Sequence, residues 1–130
     1  MARILIVDDE KCNVGILSLV VTNLGHEPIE AYSGKHAINI VATKQPNLVL
    51  LDFMMPGING VETLRHIRDL PYAKSLPIFI ITASQDLSVE EHVRSIGATG
   101  FLKKPFDLNT LKVLIEEHCD KGPVNTFTKL

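Results

Sequence analysis

The 130-residue sequence has little of several features that mark particular protein classes. It has no tryptophan and only two cysteines, Cys12 and Cys119, whose wide separation gives neither a disulfide framework nor a metal-type pair, so we expect reduced thiols. No apolar run approaches the roughly 20 residues needed to span a bilayer, and no signal-type segment is recognisable. A formal net charge of −2 excludes a broad basic surface. These absences predict a cytoplasmic protein with no direct nucleic-acid or membrane partner.

The composition is that of one folded domain. Hydrophobic residues make up 45% of the chain and charged residues 22%, which is enough apolar surface to offset the entropy cost of folding. The length fits a single hydrophobic core. Periodicity is lost after Cys119, so we expect a domain over residues 1–121 and a flexible tail or linker stub over residues 122–130.

Five short apolar runs alternate with stretches of helical periodicity, which predicts βα units stacked into a parallel sheet. The first, third and fourth runs are almost continuous Ile, Leu, Val and Phe, as expected of central strands that are covered on both faces. The second contains Pro28 and is predicted to be an edge strand. The predicted strands cover about residues 2–7, 27–31, 47–52, 77–82 and 99–102.

The segments between the strands predict five helices with recognisable ends. The first ends at Gly25, Ser33 caps the second, the third begins near Asn59, and Asp107 caps the fifth. The fourth covers roughly 87–96, and the five histidines are expected mostly at the surface. The predicted buried stripe of the fifth helix is Leu108, Leu111, Leu114 and Ile115.

Polar residues follow the ends of the predicted strands. Asp8 and Asp9 come after the first strand, Asp52 ends the third, Thr82 ends the fourth, and Lys104 comes just after the fifth. In an open parallel sheet, ligands bind outside the carboxyl ends of the strands. Three converging carboxylates repel one another without a cation, so the pattern predicts a metal site. Acids at strand ends can also be solvated turn residues, and the complete set is what favours a site.

In this order, the motifs resemble those of the response-regulator receiver domain of two-component (histidine–aspartate phosphorelay) signalling. They are Asp8-Asp9, Asp52 to Gly57 with Gly60, Thr82-Ala83 and Lys104-Pro105, and the similarity to a single-domain chemotaxis regulator extends from Ile4 to about Cys119. The resemblance implies a doubly wound, flavodoxin-like α/β fold, with a five-stranded parallel sheet in the order 2-1-3-4-5 and five flanking helices. It also implies a signalling switch rather than an enzyme.

The resemblance assigns a role to each site residue. It implies that Asp52 accepts a phosphoryl group from a cognate histidine kinase or phosphotransfer protein, and that Thr82 and Lys104 contact this group. Mg²⁺ (or Mn²⁺) would be held by Asp8, Asp9, Asp52 and the backbone carbonyl of Met54. The Lys104–Pro105 bond is expected to be cis.

The resemblance also implies how the signal is transmitted and how long it lasts. Thr82 and Phe101 are the expected switch residues, and they act on a downstream protein partner or output domain through the fourth helix, fifth strand and fifth helix. Met54 and Ser84 are expected to tune slow autodephosphorylation, and Lys103 to be a solvated or partner-facing charge. The expected oligomeric state is a monomer or a weak phosphorylation-dependent dimer.

Other interpretations of the sequence remain open. The chain could be a receiver fragment of a longer hybrid kinase or DNA-binding regulator, or a receiver that is not phosphorylated. A magnesium-dependent aspartyl phosphatase of the haloacid dehalogenase type would need a second acid where Met54 stands. A flavodoxin-like FMN carrier would need a Ser/Thr/Gly-rich phosphate cradle, whereas the loop from Asp8 to Cys12 is acidic.

Overall fold

A computed structural model describes residues 2–53, 57, 59–83 and 87–119. Within these residues, five strands alternate with five helices, as the sequence predicts. A short 3₁₀ helix, Pro71–Lys74, precedes the fourth strand. The strands are β1 Arg3–Val7, β2 Glu27–Ala31, β3 Leu48–Asp52, β4 Ile78–Thr82 and β5 Gly100–Lys103, and the helices are α1 Lys11–Asn23, α2 Gly34–Lys44, α3 Gly60–Arg68, α4 Leu87–Ile96 and α5 Leu108–Cys119.

The strands form one parallel sheet in the order β2-β1-β3-β4-β5, which confirms the predicted topology. The order reverses between β1 and β3, because the chain adds β2 on one side of β1 and the later strands on the other. Val7 pairs with Leu51, and Asp52 pairs with Ile81. The carboxyl ends of β1, β3 and β4 therefore meet at one edge of the sheet.

The core consists of two layers, one on each face of the sheet. Alternation along β1 sends Leu5 into the layer beneath α2, α3 and α4, and sends Ile4 and Ile6 into the layer beneath α1 and α5. Every residue of β3 and β4 is buried, as expected for central parallel strands. In β2 the exposed Glu27 and Glu30 confirm the prediction of an edge strand.

The two predicted helix caps, Ser33 and Asp107, are present, and Asn59, where the third helix was predicted to begin, is a third cap. The Ser33 hydroxyl accepts a hydrogen bond from the His36 N–H at 3.1 Å, and the Asn59 side chain accepts one from the Glu62 N–H at 3.0 Å. The Asp107 carboxylate accepts one from the Thr110 N–H at 2.7 Å. Hydrogen bonding with the Thr110 side chain, and then with its N–H, lowers the Asp107 pKa. These local bonds satisfy amide groups that the first helical turn leaves unpaired.

Some expectations from the sequence need correction. Leu108, predicted in the buried stripe of α5, has 61% of its surface exposed because it lies in the first turn, next to the β5–α5 loop. Most of the histidines lie at the surface, as expected: His36, His66 and His92 are exposed, whereas His26 is buried and accepts a hydrogen bond from the Ala2 N–H. The predicted boundary at residue 121 and the tail over 122–130 lie outside the described residues. Among the described helices, none has the length and apolarity of a membrane span.

Candidate functional site

Three predicted acids meet where β1 and β3 end. Asp8 directly follows β1, Asp9 opens the loop to α1, and Asp52 is the last residue of β3. Each carboxylate has an oxygen within 4.8 Å of the other two. Asp8 and Asp52 are buried, at 5% and 8% exposure, whereas Asp9 is exposed. The predicted convergence of acids is therefore present, and it is partly shielded from water.

Asp8 is held in place by local hydrogen bonds. One of its oxygens accepts from the Glu10 N–H at 3.0 Å, and the other accepts from the Asn13 side-chain amide at 3.2 Å. Asn13, in the first turn of α1, was not identified from the sequence. In the sequence, Asn13 is distinguished only by its position five residues after Asp8, and such spacings between polar residues are too common to identify a partner. These bonds fix the orientation of Asp8 toward Asp52.

Lys104 brings a cation to the same edge. Its Nζ lies 3.6 Å from Asp52 Oδ1, and its own backbone N–H donates to the Thr82 carbonyl at 2.8 Å. The Lys104–Pro105 bond is cis, which agrees with the expectation from the sequence. The ammonium thus approaches Asp52 from β5, opposite the acids of β1.

The electrostatics of the site are unfavourable for the ionised form of Asp52. Burial and then the neighbouring Asp8 raise the Asp52 pKa to about 6; Asp9 adds to the increase, whereas Lys104 opposes it. A hard divalent cation would offset this repulsion, since Mg²⁺ prefers oxygen ligands such as these carboxylates. The donor set of Asp8, Asp9 and Asp52 therefore fits Mg²⁺.

Thr82 and Phe101 lie near the site on different strands. Thr82 is buried at the end of β4, one residue after Ile81, which pairs with Asp52. Phe101 is half-buried on β5 and packs against the core layer beneath α3 and α4. The Lys103 Nζ lies over the Phe101 ring, 5.9 Å from its centroid. This aromatic is therefore neither fully buried nor fully exposed.

The loop after β3 depends on a glycine for close packing. The Gly60 N–H donates to the Phe53 carbonyl at 3.0 Å. A Cβ at Gly60 would lie 2.8 Å from the Asp52 carbonyl oxygen and from Phe53 Cα, so a larger residue would displace this backbone. Two predicted residues, Met54 and Ser84, lie outside the described residues.

An apolar groove of about 440 Å³ opens beside the acids. Its lining includes Asp8, Asp52 and Lys104 together with Ile16 of α1 and Leu108 of α5. Ile16 and Leu108 are 62% and 61% exposed. The groove therefore places two large, exposed apolar side chains beside a charged site, and such exposed apolar patches often bind partners. This groove was not predicted from the sequence, although Ile16 lies off the buried stripe of α1.

Comparison with known proteins agrees with this geometry. The family model described as the response regulator receiver domain matches residues 4–116. The chain is 37% identical over 106 residues to the response regulator PleD of Caulobacter vibrioides, covering 82% of this chain but 23% of PleD. It is 32% identical over 111 residues to protein PilH of Pseudomonas aeruginosa, covering 85% of this chain and 92% of PilH.

A solved structure of similar fold points the same way. The chemotaxis protein CheY4 of Vibrio cholerae superposes with a TM-score of 0.86 at 27% identity, covering 91% of this chain and 98% of that one. The match of the family model over most of the chain agrees with the sheet order and with the acids at the ends of β1 and β3. The chain belongs to the response regulator receiver domain family.

Proposed function

We propose that Asp52 accepts a phosphoryl group from a histidine kinase or phosphotransfer protein in the presence of Mg²⁺ (or Mn²⁺). The observation that carries this proposal is the convergence of Asp8, Asp9 and Asp52, with oxygens within 4.8 Å of one another, beside the Lys104 ammonium. Receiver domains act as signalling switches. A cluster of carboxylates beside one ammonium is suited to binding Mg²⁺ and accepting a phosphoryl group. The short coverage of PleD is consistent with a receiver that works as one unit of a longer regulator.

The reaction transfers a phosphoryl group between two side chains. An Asp52 oxygen forms the new bond to phosphorus as the bond from phosphorus to the donor imidazole nitrogen breaks. When bound by Asp8, Asp9, Asp52 and the Met54 carbonyl, Mg²⁺ supplies the positive charge that lets two anionic groups approach. Lys104 contributes an ammonium to one phosphoryl oxygen, and Thr82 donates its hydroxyl to another.

New contacts to the phosphoryl group can drive a conformational switch. Converting a two-state element from mostly off to mostly on needs about 5.5 kcal/mol of differential binding. Charge-assisted hydrogen bonds contribute roughly 1.5–3 kcal/mol each, so Thr82 and Lys104 together can supply much of this free energy. Thr82 moves toward the phosphoryl group and Phe101 turns inward, which alters the surface of α4, β5 and α5 that a downstream partner or output domain contacts. The chain works as a monomer or a weak phosphorylation-dependent dimer.

The apolar groove beside Asp52 is the docking site for the phosphodonor. Its lining combines the exposed Ile16 and Leu108 with the site residues Asp52 and Lys104. A helix that carries a phosphohistidine can bury its apolar face there and present the phosphoryl group to Asp52. The donor therefore binds through α1 and the start of α5, while the output surface is formed by α4, β5 and α5.

Phosphorylation of Asp52 is tested with a labelled small-molecule donor. Asp52→Asn removes the nucleophilic oxygen, so incorporation of label from acetyl phosphate with Mg²⁺ is expected to fall to background. Asp69→Asn, at an exposed acid that follows α3, is the matched control and should incorporate label as wild type does. Equal labelling of Asp52→Asn and wild type would rule out Asp52 as the acceptor.

Docking in the groove is tested with a protein donor. Ile16→Asp places a charge in the groove, so transfer from a phosphohistidine protein that phosphorylates the wild-type chain should slow at least tenfold. Phosphorylation by acetyl phosphate should not change, because this donor needs no docking surface. Val113→Asp, at a half-exposed position of α5 outside the groove lining, is the control. Unchanged transfer to Ile16→Asp would contradict the docking assignment.

Met54 and Ser84 are proposed to set the lifetime of the phosphoryl group. An apolar Met54 would keep water from the acyl phosphate, so Met54→Asn is expected to speed dephosphorylation. The rate is measured by loss of label after removal of the donor. An unchanged rate would exclude Met54 as a tuning residue.

A further inference from the structure

Lys103 and Phe101 occupy neighbouring positions on one face of β5. They are two residues apart, so strand alternation sends both side chains to the same side of the sheet. Phe101 pairs with Ile80 and Lys103 pairs with Thr82, and paired residues of parallel strands share a face. Lys103, Phe101 and Thr82 therefore lie on the α4 side of the sheet, whereas Asp52 and Lys104 line the groove on the α1 side.

The Lys103 ammonium contacts the Phe101 ring. Nζ lies 5.9 Å from the ring centroid, which is within the range of a cation–π interaction. Both residues are half-buried. Phenylalanine has no hydroxyl, so no side-chain hydrogen bond can hold the Phe101 ring in place. The attraction between the ring face and Lys103 can therefore hold Phe101 where it is.

We propose that Lys103 is a positioning residue that sets the threshold of the Thr82–Phe101 switch. It does so by stabilising the half-buried position that Phe101 occupies in this structure, which we call its outward position. This inference rests on the proposed function. If Phe101 turns inward, its ring leaves the ammonium, so each switching event must overcome this contact. Lys103 does not touch the phosphoryl group; it acts only through the aromatic ring. The interaction thus biases the unphosphorylated chain toward the off state.

Three variants separate charge from side-chain bulk. Lys103→Met keeps the apolar stem and removes the charge, so the ratio of inward to outward Phe101 should rise about two- to fivefold. Lys103→Arg keeps a cation that can stack on the ring, and should restore the wild-type ratio. Lys35→Met, at an exposed lysine on α2, removes the same charge far from Phe101 and should leave the ratio unchanged.

The position of the ring is measured by ¹⁹F NMR of the full chain labelled with 4-fluorophenylalanine, with the Phe101 signal assigned from Phe101→Leu. Beryllofluoride with Mg²⁺ serves as the phosphoryl mimic that defines the inward signal. In Lys103→Met, the resting signal should move toward that position, and less beryllofluoride should complete the shift.

The possible failures are distinguishable. A wild-type chain whose Phe101 signal ignores beryllofluoride with Mg²⁺ would overturn both the switch and the role of Lys103. A wild-type chain that responds, with Lys103→Met behaving as wild type does, would overturn only the role of Lys103. Lys103→Arg behaving like Lys103→Met would also overturn it, because the effect would then not depend on a cation at this position.

Discussion

Charged side chains are placed differently at the two ends of the sheet. At the amino ends an arginine has all its hydrogen bonds satisfied within the chain, and at the carboxyl ends several carboxylates lie close together. At the amino ends of β4 and β5, the half-buried Arg68 uses all five of its guanidinium N–H groups. Their acceptors are the carbonyls of Gly97, Ala73 and Leu76 and the Thr99 hydroxyl, at 2.6–3.4 Å. Burial lowers the Arg68 pKa, but a guanidinium stays charged at neutral pH. Arg68 therefore ties α3, the 3₁₀ helix and the α4–β5 loop together.

At the carboxyl ends, the charges are not balanced within the cluster. Asp52 faces two other carboxylates, and its ion pair with Lys104 is 3.6 Å long. A charged group whose hydrogen bonds are all satisfied within the chain stabilises the fold. An excess of like charges leaves binding capacity for a ligand of opposite sign. We therefore expect removal of the charge to lower the free energy of unfolding at the amino ends and to raise it at the carboxyl ends.

The largest expected effect is at Arg68. Arg68→Ala leaves the Gly97, Ala73 and Leu76 carbonyls without this donor, so the free energy of unfolding should fall by about 2–4 kcal/mol. Arg68→Lys should recover only part of this loss, because an ammonium cannot reproduce the planar set of five donors. Urea unfolding measures both, and Arg65→Ala at the exposed neighbour should change stability by less than about 0.5 kcal/mol. A similarly small effect of Arg68→Ala would show that its hydrogen bonds do not stabilise the fold.

The next effect, at Asp52, has the opposite sign. The Asp52 pKa rises from 3.8 to about 6 on folding, so the folded state favours the protonated carboxyl and the ionised form destabilises it. Asp52→Asn should therefore raise the free energy of unfolding at pH 7.5 without metal by about 1–3 kcal/mol, since one pKa unit corresponds to about 1.36 kcal/mol. By the same sign, the wild-type contribution of Asp52 should become more favourable as pH falls through 6. Asp69→Asn serves as the control, and a destabilised Asp52→Asn would contradict the prediction.

The smallest effect concerns metal binding. If Asp52 is a Mg²⁺ ligand as proposed, protons and Mg²⁺ compete for it. The apparent Mg²⁺ affinity should then be constant above about pH 7 and fall by up to about tenfold per pH unit below pH 6. Titration calorimetry between pH 5 and pH 8 measures this dependence. Affinity that does not change with pH would mean that Asp52 is not a ligand.

Features set by local sequence could be predicted. The strands follow from continuous apolar runs, and the caps at Ser33 and Asp107 follow from short polar side chains next to helical periodicity. The acids could be placed together because consecutive parallel strands carry their ends to one edge. The strand order and the role of each site residue came from the family resemblance, not from periodicity.

Features that depend on distant contacts could not be predicted. Arg68 binds Gly97, which is 29 residues away, and His26 binds Ala2, which is 24 residues away. The residues adjacent to Arg68 and His26 in the sequence give no indication of these partners. Leu108 was misplaced because helical spacing does not reveal which end of a stripe reaches beyond the core. The roles of Met54 and Ser84 stay predictions.

The reversal of strand order between β1 and β3 has a consequence for the fidelity of signalling. It draws the reactive groups from residues 8, 52 and 104, which are distributed across the chain. No short fragment contains all of them, and a chain with an unformed β1, β3 or β5 lacks one. Under the proposed function, incomplete or unfolded copies would therefore lack part of the phosphoacceptor site, and folded molecules would have the advantage in competing for the donor.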